Sequence, residues 1–454
     1  MKAKGLEQTL EILRDNGVYI TLEEFKSKVP ISRKGLTIET RQTDFENPFL
    51  MGGALQGSTS GSRSKSSPVK RNWNFIAEEA ANEMILYKIH GMARAPLALW
   101  LPALPRMAGT HNLLMNVKYR RPPERWFSHT KTNSLRIPLI DRLALEYILW
   151  CCRHFGIEVP RPEFTDIRSA VTVAEWMEKT RKNKGPCVVR TYTSSAVRLV
   201  QAAIDHGIDI SGNVILTGGE PLTEARCRFI ESAGVKVFSR YSAAETGSIG
   251  ASCDNLNGPD DMHVYVDRLA IIQRHRKTAI GEAEVNSFLF TSLSAHLGRV
   301  LLNAELGDFG KITIKPCDCL FGELGMNVHV SEVLSHDKLT CEGMTLVGFE
   351  LDEIVGKMIA NIGGGPDDYQ FWETQDGGGL SKLVVAISPA IHNLDENDFI
   401  ENLFEKLQSK SLGGHLMSQI WRQADTLQVV RAYPELTQGY KFLKIIKNPQ
   451  KTLF

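Results

Sequence analysis

The spacing of apolar and polar positions changes repeatedly along this chain. Residues 6–16 and 21–28 carry helical spacing, the first of these stretches charged and amphipathic. NFIAEEAANEMILYKIHG, IDRLALEYILWCCRHFG and VAEWMEKTRKN also read as helices. CVVRTYT is then a buried strand, SAVRLVQAAIDHG a helix, NVILTGG a strand, TEARCRFIESAG a helix and VKVFSRYS a strand. Strands alternating with helices of about 10–15 residues predict crossover units and a mostly parallel sheet. DMHVYVDRLAIIQ and EAEVNSFLFTSL are strand-like and could form a second, mixed sheet. A polar break near Ser335–Lys338 precedes FELDEIVGKMIANIG (helix), LSKLVVAIS (strand) and NDFIENLFEKLQSK (helix). LQVVRAYPEL and YKFLKIIKN complete that last, compact α+β unit. The expected fold is α/β, with a large N-terminal domain over 1–336 of mostly parallel sheets and crossover helices, plus a small mobile C-terminal α+β domain over 337–454.

Composition narrows the function classes. The 454 residues are 43% hydrophobic and 23% charged with a net charge of +1, so neither nucleic acid nor an anionic membrane surface is an expected partner. No apolar run approaches the ~18–20 residues of a membrane span, and the charged N-terminus lacks a signal-peptide core, which points to a cytoplasmic protein. Eight cysteines in a chain this long do not make a disulfide scaffold. Cys151 and Cys152, in an apolar helical pattern, read as buried core thiols. Cys317 and Cys319 sit apart, as C-D-C in a polar loop.

Four segments carry candidate chemistry. Thr59, Ser60, Gly61, Ser62, Arg63 and Ser64 lie in a Ser- and Gly-rich stretch between two ordered elements. Hydroxyls, backbone N–H groups and a nearby cation there could surround phosphate oxygens, although a flexible linker has the same composition. In NVILTGGEPLT a strand ends at Gly218-Gly219-Glu220, where glycine would let a flat ring approach the backbone. An ordinary strand–helix turn reads the same way. In VKVFSRYSAAETG a second strand delivers Tyr241, Ser242 and Glu245: an aromatic that could stack on adenine and a carboxylate that could hold Mg²⁺. Asp308, in LGDFG, could accept both ribose hydroxyls.

Their order, T-S-G-S, G-G-E-P, Y-S-A-A-E, G-D, a hinge and a C-terminal lysine, resembles the adenylate-forming superfamily, and G-G-E-P-L-T-E followed by V-K-V-F-S-R-Y-S-A-A-E-T-G is similar to its phenylacetate–coenzyme A ligase branch. The resemblance implies ATP-dependent activation of a carboxylic acid to acyl-AMP, followed by transfer to coenzyme A, an amine or a carrier protein. It implies that residues 59–64 grip the ATP phosphates, that Gly218, Gly219 and Glu220 line the adenine pocket, and that Tyr241 stacks on adenine with Ser242 beside it. Glu245 would bind Mg²⁺, Asp308 the ribose, Asp337 would mark the hinge, and Lys441, with Lys444 as the alternative, would be the catalytic lysine. A homodimer is expected by analogy. The chain departs from the pattern at Arg63-Ser64 (for Thr-Gly), at Ala244, at the hinge and around Lys441, so a nucleotide-binding protein without turnover is a further reading.

Cys253, His263, Cys317 and Cys319 have the composition and C-x-C pairing of a closed, structural Zn²⁺ site, a set also seen in the phenylacetate ligase branch, although unconnected thiols and a surface histidine would read alike. His111 or His129 could face substrate or phosphate, and Lys118, Arg120, Arg121 and Arg125 could meet coenzyme A or form a solvated face.

Overall fold

The computed structural model describes residues 4–50, 55–58, 68–104, 108–132, 137–255, 257–277, 284–335, 338–341, 344–376, 379–410, 412–435 and 445–447. The N-terminal segment comprises α1 (Leu6–Asp15), α2 (Leu22–Phe25) and the hairpin β1 (Ile31–Arg33) with β2 (Leu36–Ile38). A second hairpin, β3 (Leu55–Ser58) with β4 (Pro68–Arg71), flanks the Ser-rich stretch and leads into α3 (Trp73–Ile89). Then follow β5 (Leu97–Trp100), α4 (Ala108–Lys118), β6 (Arg125–Ser128), α5 (Leu139–His154), β7 (Glu163–Phe164) and α6 (Ala170–Lys184). The crossovers continue with β8 (Val188–Arg190), α7 (Thr193–Asp205), β9 (Val214–Gly218), α8 (Glu224–Glu231) and β10 (Lys236–Ala243). Next come β11 (Gly247–Ala251), β12 (Met262–Val264), β13 (Leu269–Lys277), β14 (Glu284–Ser292), β15 (Ala304–Ile314), the short α9 (Leu320–Glu323) and β16 (Val328–Ser335). The C-terminal unit holds β17 (Lys338–Cys341), β18 (Met344–Val347), α10 (Gly348–Asn361), β19 (Tyr369–Gln375), β20 (Ser381–Ile387), α11 (Glu396–Lys410), α12 (Leu412–Ala424), β21 (Leu427–Arg431) and β22 (Ile445–Lys447).

Twelve strands form one sheet, ordered β13-β14-β15-β16-β12-β11-β10-β9-β8-β5-β6-β7. From β10 to β7 every pairing is parallel. These strands are covered on both faces and therefore read as continuous apolar runs. Successive side chains still alternate: Leu97 and Leu99 join Phe75, Leu86, Leu113 and Leu149 in one core, whereas Ala98 and Trp100 join Val173, Met177, Val197 and Val200 in another. The predicted second mixed sheet is not separate. The chain reverses after Ala243 and β11 pairs antiparallel with β10, so the remaining strands extend the same sheet.

The C-terminal unit has a four-stranded sheet, β21-β20-β19-β22, and a core cluster of its own around Leu351, Phe371, Val385, Leu403 and Trp421, to which Ile167 also contributes. Cys152 is buried as expected, but Cys151 is only half-buried, because α5 turns an apolar stripe to solvent: Leu139, Ile140, Leu143, Tyr147 and Trp150 are all exposed. Arg121 is not part of a solvated face. Its guanidinium donates to the carbonyls of Met92, Ala93 and Ala95 and stacks 3.9 Å from the Tyr87 ring centroid. Among the described residues no helix is long and apolar enough to cross a membrane.

Candidate functional site

Parallel strands all deliver their carboxyl ends to one edge, where open α/β sheets bind ligands. Gly218 and Arg240 are register partners in adjacent strands, and a Cβ on Gly218 would stand 3.1 Å from the Arg240 carbonyl oxygen. Gly219 has φ +80°, and a Cβ there would press against the Tyr192 ring at 3.0 Å. Both glycines are thus required by backbone geometry and close approach. Glu220 turns inward: its carboxylate accepts from the Ser194 hydroxyl at 2.8 Å and the Ser194 N–H at 3.2 Å, and stands 3.6 Å from Arg226.

Tyr241 is buried at the end of β10, and its hydroxyl donates to Asp308 Oδ2 at 2.8 Å. Asp308 comes from β15, and its Oδ1 accepts from the Ser335 hydroxyl at 2.5 Å. Burial and the neighbouring Asp308 charge hold the Tyr241 phenol well above its ordinary range, so it acts as a neutral donor. A β-bulge between Tyr241 and Ser242 leaves Ser242 exposed at the rim. Glu245 lies in the turn that follows, its Oε1 2.8 Å from Lys26 Nζ. The same turn is held from below. Arg71 donates to the Ala244 carbonyl at 3.3 Å, and the buried Glu79 of α3 accepts from the Ser248 N–H and bonds His111. Burial alone would raise the Glu79 carboxyl, but His111, Arg268 and Arg71 together hold it well below the usual carboxylate range.

His129 is also buried. It stacks on Trp100 with centroids 5.0 Å apart, its Nε2 lies 3.1 Å from Ser195 Oγ, and its Nδ1 has no hydrogen-bond partner. Burial pushes its pKa down to about 3. Gly218, Tyr241 and Asp308 are therefore brought together, with Gly219 and Glu245 in the adjoining turns. Residues 59–64, Asp337, Lys441 and Lys444 lie outside the described residues. Lys26, Arg71, Glu79 and Ser335 escaped sequence reasoning, since each reaches the site from a distant segment and lies in no motif.

The second cluster sits where β11, β12 and the loop after β15 meet. The ligand atoms of Cys253, His263, Cys317 and Cys319 all lie within 4.8 Å of one another. His263 Nε2 is 3.3 Å from both the Cys253 and Cys319 sulfurs, while its Nδ1–H donates to the Met326 carbonyl at 2.6 Å. That bond leaves the Nε2 lone pair aimed at the thiols, which is the arrangement a metal-ligating imidazole needs. Three thiols and a correctly tautomerised imidazole fit tetrahedral Zn²⁺. Gly322 permits the loop: a Cβ there would fall 1.8 Å from the Cys317 carbonyl oxygen.

No family model matches this sequence, and no curated protein matches it either. Solved structures do. A 2-hydroxyisobutyryl-CoA ligase in complex with 2-HIB-AMP and CoA, in its thioesterification state, superposes with a TM-score of 0.53 at 13% identity, over 95% of this chain and 80% of that one. The chain has the fold of an acyl-CoA ligase. The amide bond synthetase McbA from Marinactinospora thermotolerans matches at 13% identity and TM-score 0.47 over 91% of this chain and 70% of that one. In this ligase fold, the edge carrying Gly218, Tyr241 and Asp308 is built from the central parallel strands and the first long antiparallel ones.

Proposed function

We propose that the chain activates a carboxylic acid, aromatic by resemblance, as its acyl-AMP and passes the acyl group to an acceptor, by default coenzyme A. The observation that carries this reading is the Tyr241–Asp308–Ser335 hydrogen-bonded group beside the Gly218-Gly219 turn, on a ligase fold. A carboxylate offers about four lone-pair positions. The Asp308 carboxylate, fixed in place by the Tyr241 and Ser335 hydroxyls, would accept from the ribose hydroxyls. The Tyr241 ring would flank adenine, and the small glycines would let the base lie against the backbone.

In the first step a substrate carboxylate oxygen bonds to the α-phosphorus of ATP. The bond from that phosphorus to the α,β-bridging oxygen breaks, and its electron pair leaves with pyrophosphate. The protein's part is positioning and charge stabilisation. Glu245 would hold Mg²⁺, which supplies neutralisation of phosphate charge when bound. Lys441, on a small domain from residue 337 onward, would balance charge on the reacting carboxylate. Cys253, His263, Cys317 and Cys319 would hold Zn²⁺ in a structural role, since four protein ligands leave no open position for water.

The test is ATP–pyrophosphate exchange over aromatic, fatty and amino acids, with coenzyme A, amines and carrier protein then offered as acceptors. Exchange with an acid and thioester formation from coenzyme A support the full reading. Exchange without thioester formation transfers the assignment to an amide-forming or carrier-loading enzyme. ATP binding without exchange over the whole panel leaves a nucleotide-binding protein. Asp308→Asn should weaken AMP binding at least tenfold.

A further inference from the structure

α5 is apolar on two faces, and only one of them is covered. Leu145, Ile148, Leu149 and Cys152 recur at helical spacing and are buried in the core shared with Leu97, Leu99 and Leu113. On the other side of the helix Ile140, Leu143, Tyr147 and Trp150 make a second stripe, with Leu139 at its start and Phe155 just past its end. These six residues are each 56–72% exposed. Four rings along the stripe already stack or abut. Centroids are 6.0 Å apart for Tyr147 and Trp150, 5.0 Å for Trp150 and His154, and 5.3 Å for His154 and Phe155. The helix is the crossover between β6 and β7, the two strands at one end of the large sheet.

A helix with apolar residues on opposite faces is ordinarily enclosed on both sides. With about 150–250 Å² for a whole aromatic side chain and somewhat less for Leu or Ile, the six residues expose on the order of 650 Å² of apolar surface. The largest apolar patch of an ordinary monomer is about 300–600 Å², whereas a stable interface buries about 800 Å² from each partner. The stripe therefore supplies most of one side of a standard interface. Its spacing says what fits. Positions 140, 143, 147, 150 and 154 alternate in steps of three and four, the seam by which two helices pack side by side. α5 carries Asp141, Glu146, Arg142 and Arg153, two charges of each sign, so it lacks the basic excess of a helix that lies on an anionic bilayer. Glu146 and Arg153 are seven residues apart, hence on the same flank of the stripe, and opposite in charge. Glu146 holds Arg161 at 2.7 Å but remains half exposed. When two copies of α5 run antiparallel, like flanks face each other, and Glu146 of each copy comes near Arg153 of the other.

We propose that the exposed stripe of α5 is the interface of a homodimer, in which α5 packs antiparallel against the same helix of a second copy about a two-fold axis. In this alignment Tyr147 of each copy lies against Trp150 of the other, and Leu143 against His154. The same patch serves both sides, so the pairing closes at two copies. The aromatic pair sits at the centre of the contact, where Trp and Tyr carry most of the energy of stable interfaces. This inference is independent of the adenylate-forming reading.

The test is analytical ultracentrifugation of the full chain over about 0.1–100 μM, with circular dichroism to check the fold. The wild type should sediment as a dimer. Trp150→Glu and Tyr147→Glu, both at exposed positions, should keep the wild-type spectrum and weaken dimerisation by at least about a hundredfold. Glu146→Arg should weaken it at least fivefold by setting like charges against Arg153, and Glu146→Arg/Arg153→Glu should restore it. A wild type that stays monomeric at the highest concentration overturns the proposal, as does a dimer that Trp150→Glu leaves intact. A double variant no better than Glu146→Arg overturns the antiparallel pairing. A monomeric wild type that floats with phosphatidylcholine vesicles, and no longer floats as Trp150→Glu, overturns the dimer and assigns the stripe to a lipid surface.

Discussion

Glu79→Gln tests the network beneath the Glu245 turn most directly. The carboxylate is almost wholly buried, accepts from the Ser248 N–H, bonds His111 and stands 3.4 Å from Arg268 Nη1. The fit is close enough that a Cβ on Gly247 would fall 2.3 Å from Glu79 Oε1. Glutamine matches the shape, so no cavity opens, but its NH₂ must face donors and Arg268 loses a buried counter-charge. Removing one partner of a buried pair costs about 3–5 kcal/mol, so a loss of about 4 kcal/mol is expected. At roughly 2–4 °C per kcal/mol for large domains, Tm should fall by about 10 °C. Urea unfolding followed by circular dichroism at pH 7 measures the loss, with unchanged m showing that the unfolded surface is the same. Glu224→Gln, which removes an exposed i,i+4 partner of Arg228, is the control and should be silent. The sign with pH follows from the depressed folded pKa of Glu79. Its contribution is fully present above the unfolded value of 4.5 and is lost as pH falls through the folded value. The gap between wild type and variant should therefore hold from pH 7 to 5 and narrow in stronger acid. A loss under about 1 kcal/mol at pH 7 would refute the network argument.

Three further outcomes are expected. The protein as purified should carry about one zinc per chain by elemental analysis, and Cys319→Ser should lose both the metal and several degrees of Tm; a metal-free wild type as stable as the variant would sink the centre. For His129, whose pKa drops from 6.5 unfolded to about 3 folded, the unfolded chain binds the extra proton between those values, so stability falls with acid across that window. His129→Gln should remove up to about 1.4 kcal/mol per pH unit of that slope, and identical pH profiles for the two proteins would contradict it. Gly219→Ala forces a φ of +80° on an L-residue against the Tyr192 ring, so it should cost about 1–2 kcal/mol in chemical denaturation and weaken AMP binding; an unchanged protein would mean that the turn relaxes freely.

Local signals explain what was legible. The turn after Gly218 was readable because a strand, a glycine pair and a helix start fall within a dozen residues; the turn after Tyr241 was readable from the strand that ends there, although it leads into β11 and not into a helix. The Cys253, His263, C-x-C set was readable because ligand chemistry restricts residue type. α12 and β19 went unread: LGGHLMSQIWRQA carries two glycines in its first turn, and YQFWETQ is too short and too mixed to stand out. α3 misleads in the opposite sense. Glu79, Asn82 and Glu83 look like a solvent face, yet all are buried, Glu83 against Arg190 and Arg240. α5 reverses the rule again by exposing Tyr147 and Trp150.

By itself the sequence determined the alternation of strands and helices, the glycine turns that end two of the strands, and the residue types able to bind a nucleotide and a metal. Those properties follow from periodicity, backbone freedom and donor chemistry, all of which act over a few residues. Only the tertiary structure decided that Tyr241 meets Asp308 across 67 positions and that Lys26 meets Glu245 across 219. Charge acts through space, and which charges become neighbours depends on how the whole sheet is wound.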